Sequence, residues 1–121
     1  MGHRQLRVYM KSYNNVLRIY GMTKVYPREE RDNINDQIRR SAVSVPLNIA
    51  EGYAKRESQA EFKRFLKMAV GSNTELSVLL DLSKDLGYIS EAEYQKESEE
   101  NTETGKMLTA LIRQVGEQSK I

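Results

Sequence analysis

Apolar residues recur along this chain at three- and four-residue intervals in four successive blocks, the spacing that lines one side of an α-helix. In the first block, from about Leu6 to Lys24, Leu6, Tyr9, Tyr13, Val16, Leu17 and Tyr20 fall within roughly a third of the helix circumference. A tyrosine stripe can stack nucleic-acid bases, but on an apolar helical face the rings are expected in the core with their hydroxyls at its rim. Pro27, followed by Glu29 and Glu30, suits a helix start or a short turn, and a second helix is under way by Ile34.

The second block, Gln37 to Gly52 (QIRRSAVSVPLNIAEG), sets Ile38, Ala42, Val45 and Ile49 at core spacing, yet it also holds Pro46, Arg39, Arg40, Asn48 and Glu51. A proline inside a helix removes one backbone donor and costs about 3 kcal/mol. Two arrangements are compatible with this. In one, the helix is continuous, Ser41 and Ser44 satisfy freed carbonyls, and Ser44, Asn48 and Glu51 join the arginines in a structural polar cluster. In the other, Ser44 ends one helix and caps a second, with Pro46 in its first turn. Gly52 suits a helix C-terminus, where glycine enters the left-handed region without strain.

Ser58 and Glu61 form a capping box that opens the third helix. Its core stripe is Phe62, Phe65, Leu66, Ala69, Asn73, Leu76, Leu80 and Ser83, trailing into Leu86, and the near-heptad spacing predicts left-handed bundle packing. Leu86-Gly87-Tyr88 ends it with a glycine cap, and Ser90 with Glu93 opens the fourth helix through a second capping box. That helix divides in two. Glu91 to Glu103 holds six glutamates and only Tyr94 as a large apolar residue, so it is expected to project beyond the core or face a polar groove. Met107, Leu108, Leu111, Ile112 and Val115 follow, with Gly105 between the halves permitting close helix approach. The four blocks predict one all-α domain over residues 1–121, an up-down-up-down antiparallel four-helix bundle.

Composition narrows the chemistry. The chain has 121 residues, 30% of them charged, and no cysteine, which excludes disulfides, thiol catalysis and thiolate metal sites together. No run approaches the ~18 apolar residues of a membrane span and no signal-peptide core is legible, so the expected location is the cytoplasm, with no membrane association. His3, the only histidine, reads as a flexible end or an appended residue rather than a ligand. With no histidine beside a nucleophile, no bundle di-iron pattern and no phosphate loop (Gly71-Ser72 lies in mid-helix), no catalytic residue, metal or cofactor is expected. Ser44, Asn48 and Glu51 are read as structural rather than catalytic.

Charge is distributed unevenly. Residues 1–67 hold 14 Lys/Arg against 7 Asp/Glu, and residues 68–121 hold 5 against 10. A polyanion would meet the first half, or the halves neutralise each other within the bundle or between subunits. Lys63, Arg64 and Lys67 lie opposite the core stripe of the third helix, with Lys55 and Arg56 just before it. Such a face can hold a phosphate backbone by counterion release without reading sequence, or it is an ordinary solvated face. Asp81 and Asp85, further along that face, confine any anion patch to the first half of the helix. Arg39 and Arg40 point about 100° apart, so one can pair inward while the other faces out.

The RRSAVSVPLNIAEG stretch, flanked by GYAKRESQAEFKRFLKMAVGSNTEL and DLGYIS, resembles the four-helix-bundle family named after open reading frames in 23S rRNA intervening sequences. That family is similar in fold to the accessory variability determinant of diversity-generating retroelements. The resemblance runs from Leu6 to about Val115. It implies a homo-oligomer, most plausibly a pentamer, that binds RNA or DNA and a reverse transcriptase, with Arg39, Arg40, Lys55, Arg56, Lys63, Arg64 and Lys67 as the positions to examine. The modest net charge of +2 and the acidic fourth helix depart from a strongly nucleic-acid-binding pattern. The rival expectation is a purely structural self-assembling protein.

Overall fold

The computed structural model describes residues 2–118, with side chains described to Gly116. Four helices follow in order, α1 (Arg7–Thr23), α2 (Ile34–Ala54), α3 (Gln59–Asp85) and α4 (Glu91–Gln118), with single 3-10 turns at His3–Gln5 and Arg28–Glu30 and no strand among the described residues. The architecture is the expected all-α four-helix bundle. α1 and α3 each pack against α2 and α4 but not against each other, so they occupy diagonal corners.

Local signals set the boundaries. Glu93 N donates to Ser90 Oγ at 3.1 Å and its carboxylate accepts from Ser90 N at 3.1 Å, a complete capping box. The other box is half-made: Glu61 N reaches Ser58 Oγ at 3.2 Å, but the Glu61 carboxylate is taken by Arg64. Gly87, at φ 80°, closes α3 by donating to Lys84 O while Tyr88 N donates to Ser83 O, the paired bonds of a Schellman end. Pro27 precedes the 3-10 turn rather than a long helix. The His3 ring meets Tyr9 edge-on at 4.6 Å.

α2 is continuous through Pro46, which is buried. The carbonyl that loses its donor is that of Ala42, four residues back. Neither serine bonds it, contrary to expectation. Ser41 Oγ donates to Glu75 and Ser44 Oγ bonds Ser72 Oγ, both at 2.8 Å, so the two hydroxyls tie α2 to α3 instead. Gly52 also has a different role from the one its position suggested, since the helix runs past it and, among the described residues, only Gly87 has a positive φ. A Cβ there would lie 2.9 Å from Phe65 Cβ, so the missing side chain lets α2 approach α3.

Two apolar clusters form the core. Val8, Val45, Ile49, Phe62, Leu66 and Leu108 belong to one, and Ile19, Ile38, Ala42, Leu76, Leu80 and Ile89 to the other. Each fully buried leucine or isoleucine contributes roughly 1.5–3 kcal/mol of transfer free energy. By chain position a buried polar layer of Ser12, Asn15, Asn73, Asn101 and Thr104 lies between the clusters. Asn73 Nδ2 donates to Asn101 O at 2.9 Å and Asn101 Nδ2 to Asn73 O at 3.1 Å, a reciprocal pair that fixes the axial register of α3 on α4. Gly105 keeps this contact open, because a Cβ there would come 3.3 Å from Asn73 Nδ2.

The α3 stripe is buried as expected from Phe62 to Ser83, except that Phe65 is half-buried, Leu79 joins the core and Leu86 is exposed. α1 is turned by about a third of a turn from its expected face. Val8, Tyr9, Ser12, Asn15, Ile19, Met22 and Thr23 point inward, while Tyr13, Leu17 and Tyr20 are exposed. The buried hydroxyls are satisfied locally, Ser12 on Tyr9 O and Thr23 on Ile19 O, both at 2.8 Å. The polar half of α4 packs against this side of α1: Arg18 donates to buried Glu97 at 3.0 Å and Lys11 pairs with Glu100.

Candidate nucleic-acid interface

The seven basic positions singled out in the sequence do not form one surface. On α3, Arg64 holds Glu61 through two bonds, at 2.8 and 3.2 Å, and lies over the Phe65 ring at 4.5 Å. The Arg64 hydrogen bond keeps the Glu61 carboxyl below its usual range. Lys55 lies 4.0 Å from Glu51 and also approaches Phe65. Arg56 is exposed, donates to Tyr53 O and stacks on the Tyr53 ring at 4.1 Å. Lys63 is half-buried beside Gly116 of α4, and Lys67 is exposed with no ion pair among the described residues. This face therefore offers Arg56 and Lys67 openly, while Lys55 and Arg64 are shared with neighbouring carboxylates.

Arg39 and Arg40 diverge as adjacent helical residues must. Arg40 is exposed and 3.7 Å from Asp36. Arg39 is half-buried and held at three points: Nε donates to Thr23 Oγ1 at 2.8 Å, Nη2 to Tyr20 O at 3.3 Å, and the guanidinium lies 4.4 Å from the Tyr20 ring centre. Neither arginine joins Glu51. Of the expected polar cluster, Asn48 Nδ2 bonds Ser44 O and Ser44 Oγ at 2.9 and 3.0 Å, whereas Glu51 stands apart on the exposed side. These residues line an open groove of about 590 Å³ between α1 and α2, together with Tyr20, Val43 and Leu47.

A second hollow, of about 490 Å³, was not legible in the sequence. It sits where α1 passes through the 3-10 turn into α2 and is lined by Thr23, Lys24, Tyr26, Pro27, Arg28, Arg31, Asn35, Asp36 and Arg39. Asn35 Nδ2 closes its floor by donating to Thr23 O at 3.0 Å. In the linear sequence Glu29 and Glu30 cancel Arg28 and Arg31; in space neither glutamate lines the hollow, and Glu30 accepts the Tyr88 hydroxyl. That bond to a carboxylate pushes the Tyr88 pKa up to about 12.

Among the described residues, no group of three or more His, Cys, Asp or Glu is placed to hold a metal ion, and no helix is long and apolar enough to cross a membrane.

The 23S rRNA-intervening sequence protein model matches residues 4–110. Among solved structures, a protein of unknown function from the S23 ribosomal protein family, from Bacteroides thetaiotaomicron, is similar to this chain with a TM-score of 0.79 and 29% identity. The match covers 88% of this chain and 95% of that one. No curated protein matches. The match over nearly the whole bundle settles the family: the chain belongs to the 23S rRNA-intervening sequence proteins.

Proposed function

We propose that this protein is a non-enzymatic, oligomeric accessory protein that binds nucleic acid, or a nucleic-acid enzyme such as a reverse transcriptase, through the basic surface of its first half. One observation carries the reading. The inward carboxylates of the acidic helix, Glu97 and Glu100, pair with Arg18 and Lys11 of α1, which leaves Lys24, Arg28, Arg31, Arg56 and Lys67 without an ion pair among the described residues. Solvated cations attract a polyanion by counterion release and require no base-specific contact.

Self-assembly has support of its own. Tyr13, Leu17 and Tyr20 on α1 are exposed, with Tyr20 sharing a groove with Leu47 of α2, and Val78, Leu82 and Leu86 are exposed on α3, the diagonal helix. Two different apolar strips on opposite flanks are what a head-to-tail ring requires, and a pentamer is the ring size implied by the resemblance read from the sequence. Light-scattering mass at physiological salt should be near five times the 14.0 kDa of one chain. Retention of single- or double-stranded nucleic acid at ~50 mM salt tests the binding reading. Assembly without any retention would leave a purely structural protein.

A further inference from the structure

We infer that the hollow at the α1–α2 corner is a phosphate-binding site; on the reading above, the phosphate is that of a nucleic-acid backbone. Four cations line it, Lys24, Arg28, Arg31 and Arg39, against one carboxylate, Asp36, which lies 3.7 Å from exposed Arg40. The rim cations Lys24, Arg28 and Arg31 make no ion pair among the described residues. Arg39 differs from them in being already oriented. Thr23, the Tyr20 carbonyl and the Tyr20 ring hold its Nε, Nη2 and plane, which leaves Nη1 as a positioned donor. The ordering entropy that a surface arginine loses on gripping an anion is therefore largely lost on folding instead. Thr23 and Asn35 support the floor, bonded to each other and to Ile19 O. A guanidinium held at three points beside three exposed, unpaired cations suits a tetrahedral oxyanion, which accepts several charge-assisted bonds at once. The corner opens into the α1–α2 groove through the shared residues Asp36 and Arg39, so a chain of phosphates could continue past it.

The test uses the whole protein and two probes, a single-stranded oligonucleotide and inorganic tripolyphosphate, at ~50 mM salt. Tripolyphosphate should shift the amide resonances of Arg28, Arg31 and Asn35 and leave those of Lys63 and Lys67 in place. The double variant Arg28→Gln/Arg31→Gln, altered only at exposed positions, should bind the oligonucleotide about tenfold or more weakly, the loss expected for one or two charge-assisted contacts. Lys63→Gln/Lys67→Gln should retain most of the affinity. If the wild type binds the oligonucleotide and Arg28→Gln/Arg31→Gln binds it equally well, the corner is not the site, although nucleic-acid binding stands. Tripolyphosphate shifts at the corner without oligonucleotide binding would support the phosphate site and overturn its nucleic-acid source. Absence of both responses overturns both.

Discussion

Replacing Gly52 by alanine probes a close approach of α2 to α3. The added Cβ would lie 2.9 Å from Phe65 Cβ and 3.2 Å from both Phe62 Cδ1 and Phe62 O. Phe65 Cβ and Phe62 O are fixed to the α3 backbone, so a side-chain rotation cannot relieve the contact and α2 must move away from α3. Overpacking of this kind costs about 1–3 kcal/mol. Against it stands the helix-propensity gain of glycine to alanine, about 0.5–1 kcal/mol, which gives a net loss of up to about 2.5 kcal/mol. Gly71 of α3 supplies the control, because an added Cβ there meets nothing within 4 Å. Gly71→Ala should stabilise by about 0.5–1 kcal/mol. Urea unfolding followed by helical circular dichroism, at one fixed protein concentration, reads both variants on one scale. Equal stabilisation by Gly52→Ala and Gly71→Ala would refute the close approach of α2 to α3.

Three further outcomes follow from the polar contacts. Asn73→Ala should cost about 1–3 kcal/mol in the same unfolding assay, since it removes one of the reciprocal bonds and leaves the buried Asn101 carbonyl without its side-chain donor; a loss under about 0.5 kcal/mol would place the pair among ordinary surface contacts. Glu51→Ala should change stability by less than about 0.5 kcal/mol, because Glu51 is exposed and its one ion pair, with Lys55, is 4.0 Å long, whereas Asn48→Ala, which removes two bonds to Ser44, should cost measurably more. The hydrogen bond from Lys11, aided by its charge, holds the Glu100 carboxyl below its usual range. Its contribution is therefore present above the ordinary carboxylate pKa and lost as pH falls through the lowered value. Lys11→Gln should narrow its stability gap to wild type as the solution is acidified, and a gap constant from neutral to acid pH would exclude the linkage.

The parts of the fold that were legible rest on local chemistry: capping residues at Ser58 and Ser90, the Gly87 stop, and the apolar spacing of α2 and α3. The orientation of α1 was not. Hydropathy favours Tyr13, Leu17 and Tyr20 over Ser12, Asn15 and Thr23, but the hydroxyls of Ser12 and Thr23 bond carbonyls of their own helix and so enter the core at little cost. What draws that face inward is α4, whose Glu97 and Glu100 meet Arg18 and Lys11 across 79 and 89 residues of chain, a pairing that no local window contains. The candidate site follows the same logic. Lys55, Arg56, Lys63, Arg64 and Lys67 are close in sequence, yet Glu51 and Glu61 take up two of them. Lys24, Arg28 and Arg31 were masked by the adjacent Glu29 and Glu30, and only the turn between α1 and α2 separates the signs and brings Arg39 beneath them.

The most direct measurement of the central claim is the salt dependence of binding between the wild-type protein and a labelled single-stranded oligonucleotide, read by fluorescence anisotropy between ~50 and ~200 mM salt. Binding through the cationic first half predicts measurable affinity at the lower salt and a linear fall of log K with log salt, with a slope of about 0.7 for each phosphate neutralised. The Arg28→Gln/Arg31→Gln variant should show a shallower slope than the wild type. Absence of binding at ~50 mM salt, or binding that does not change across this range, would contradict the account.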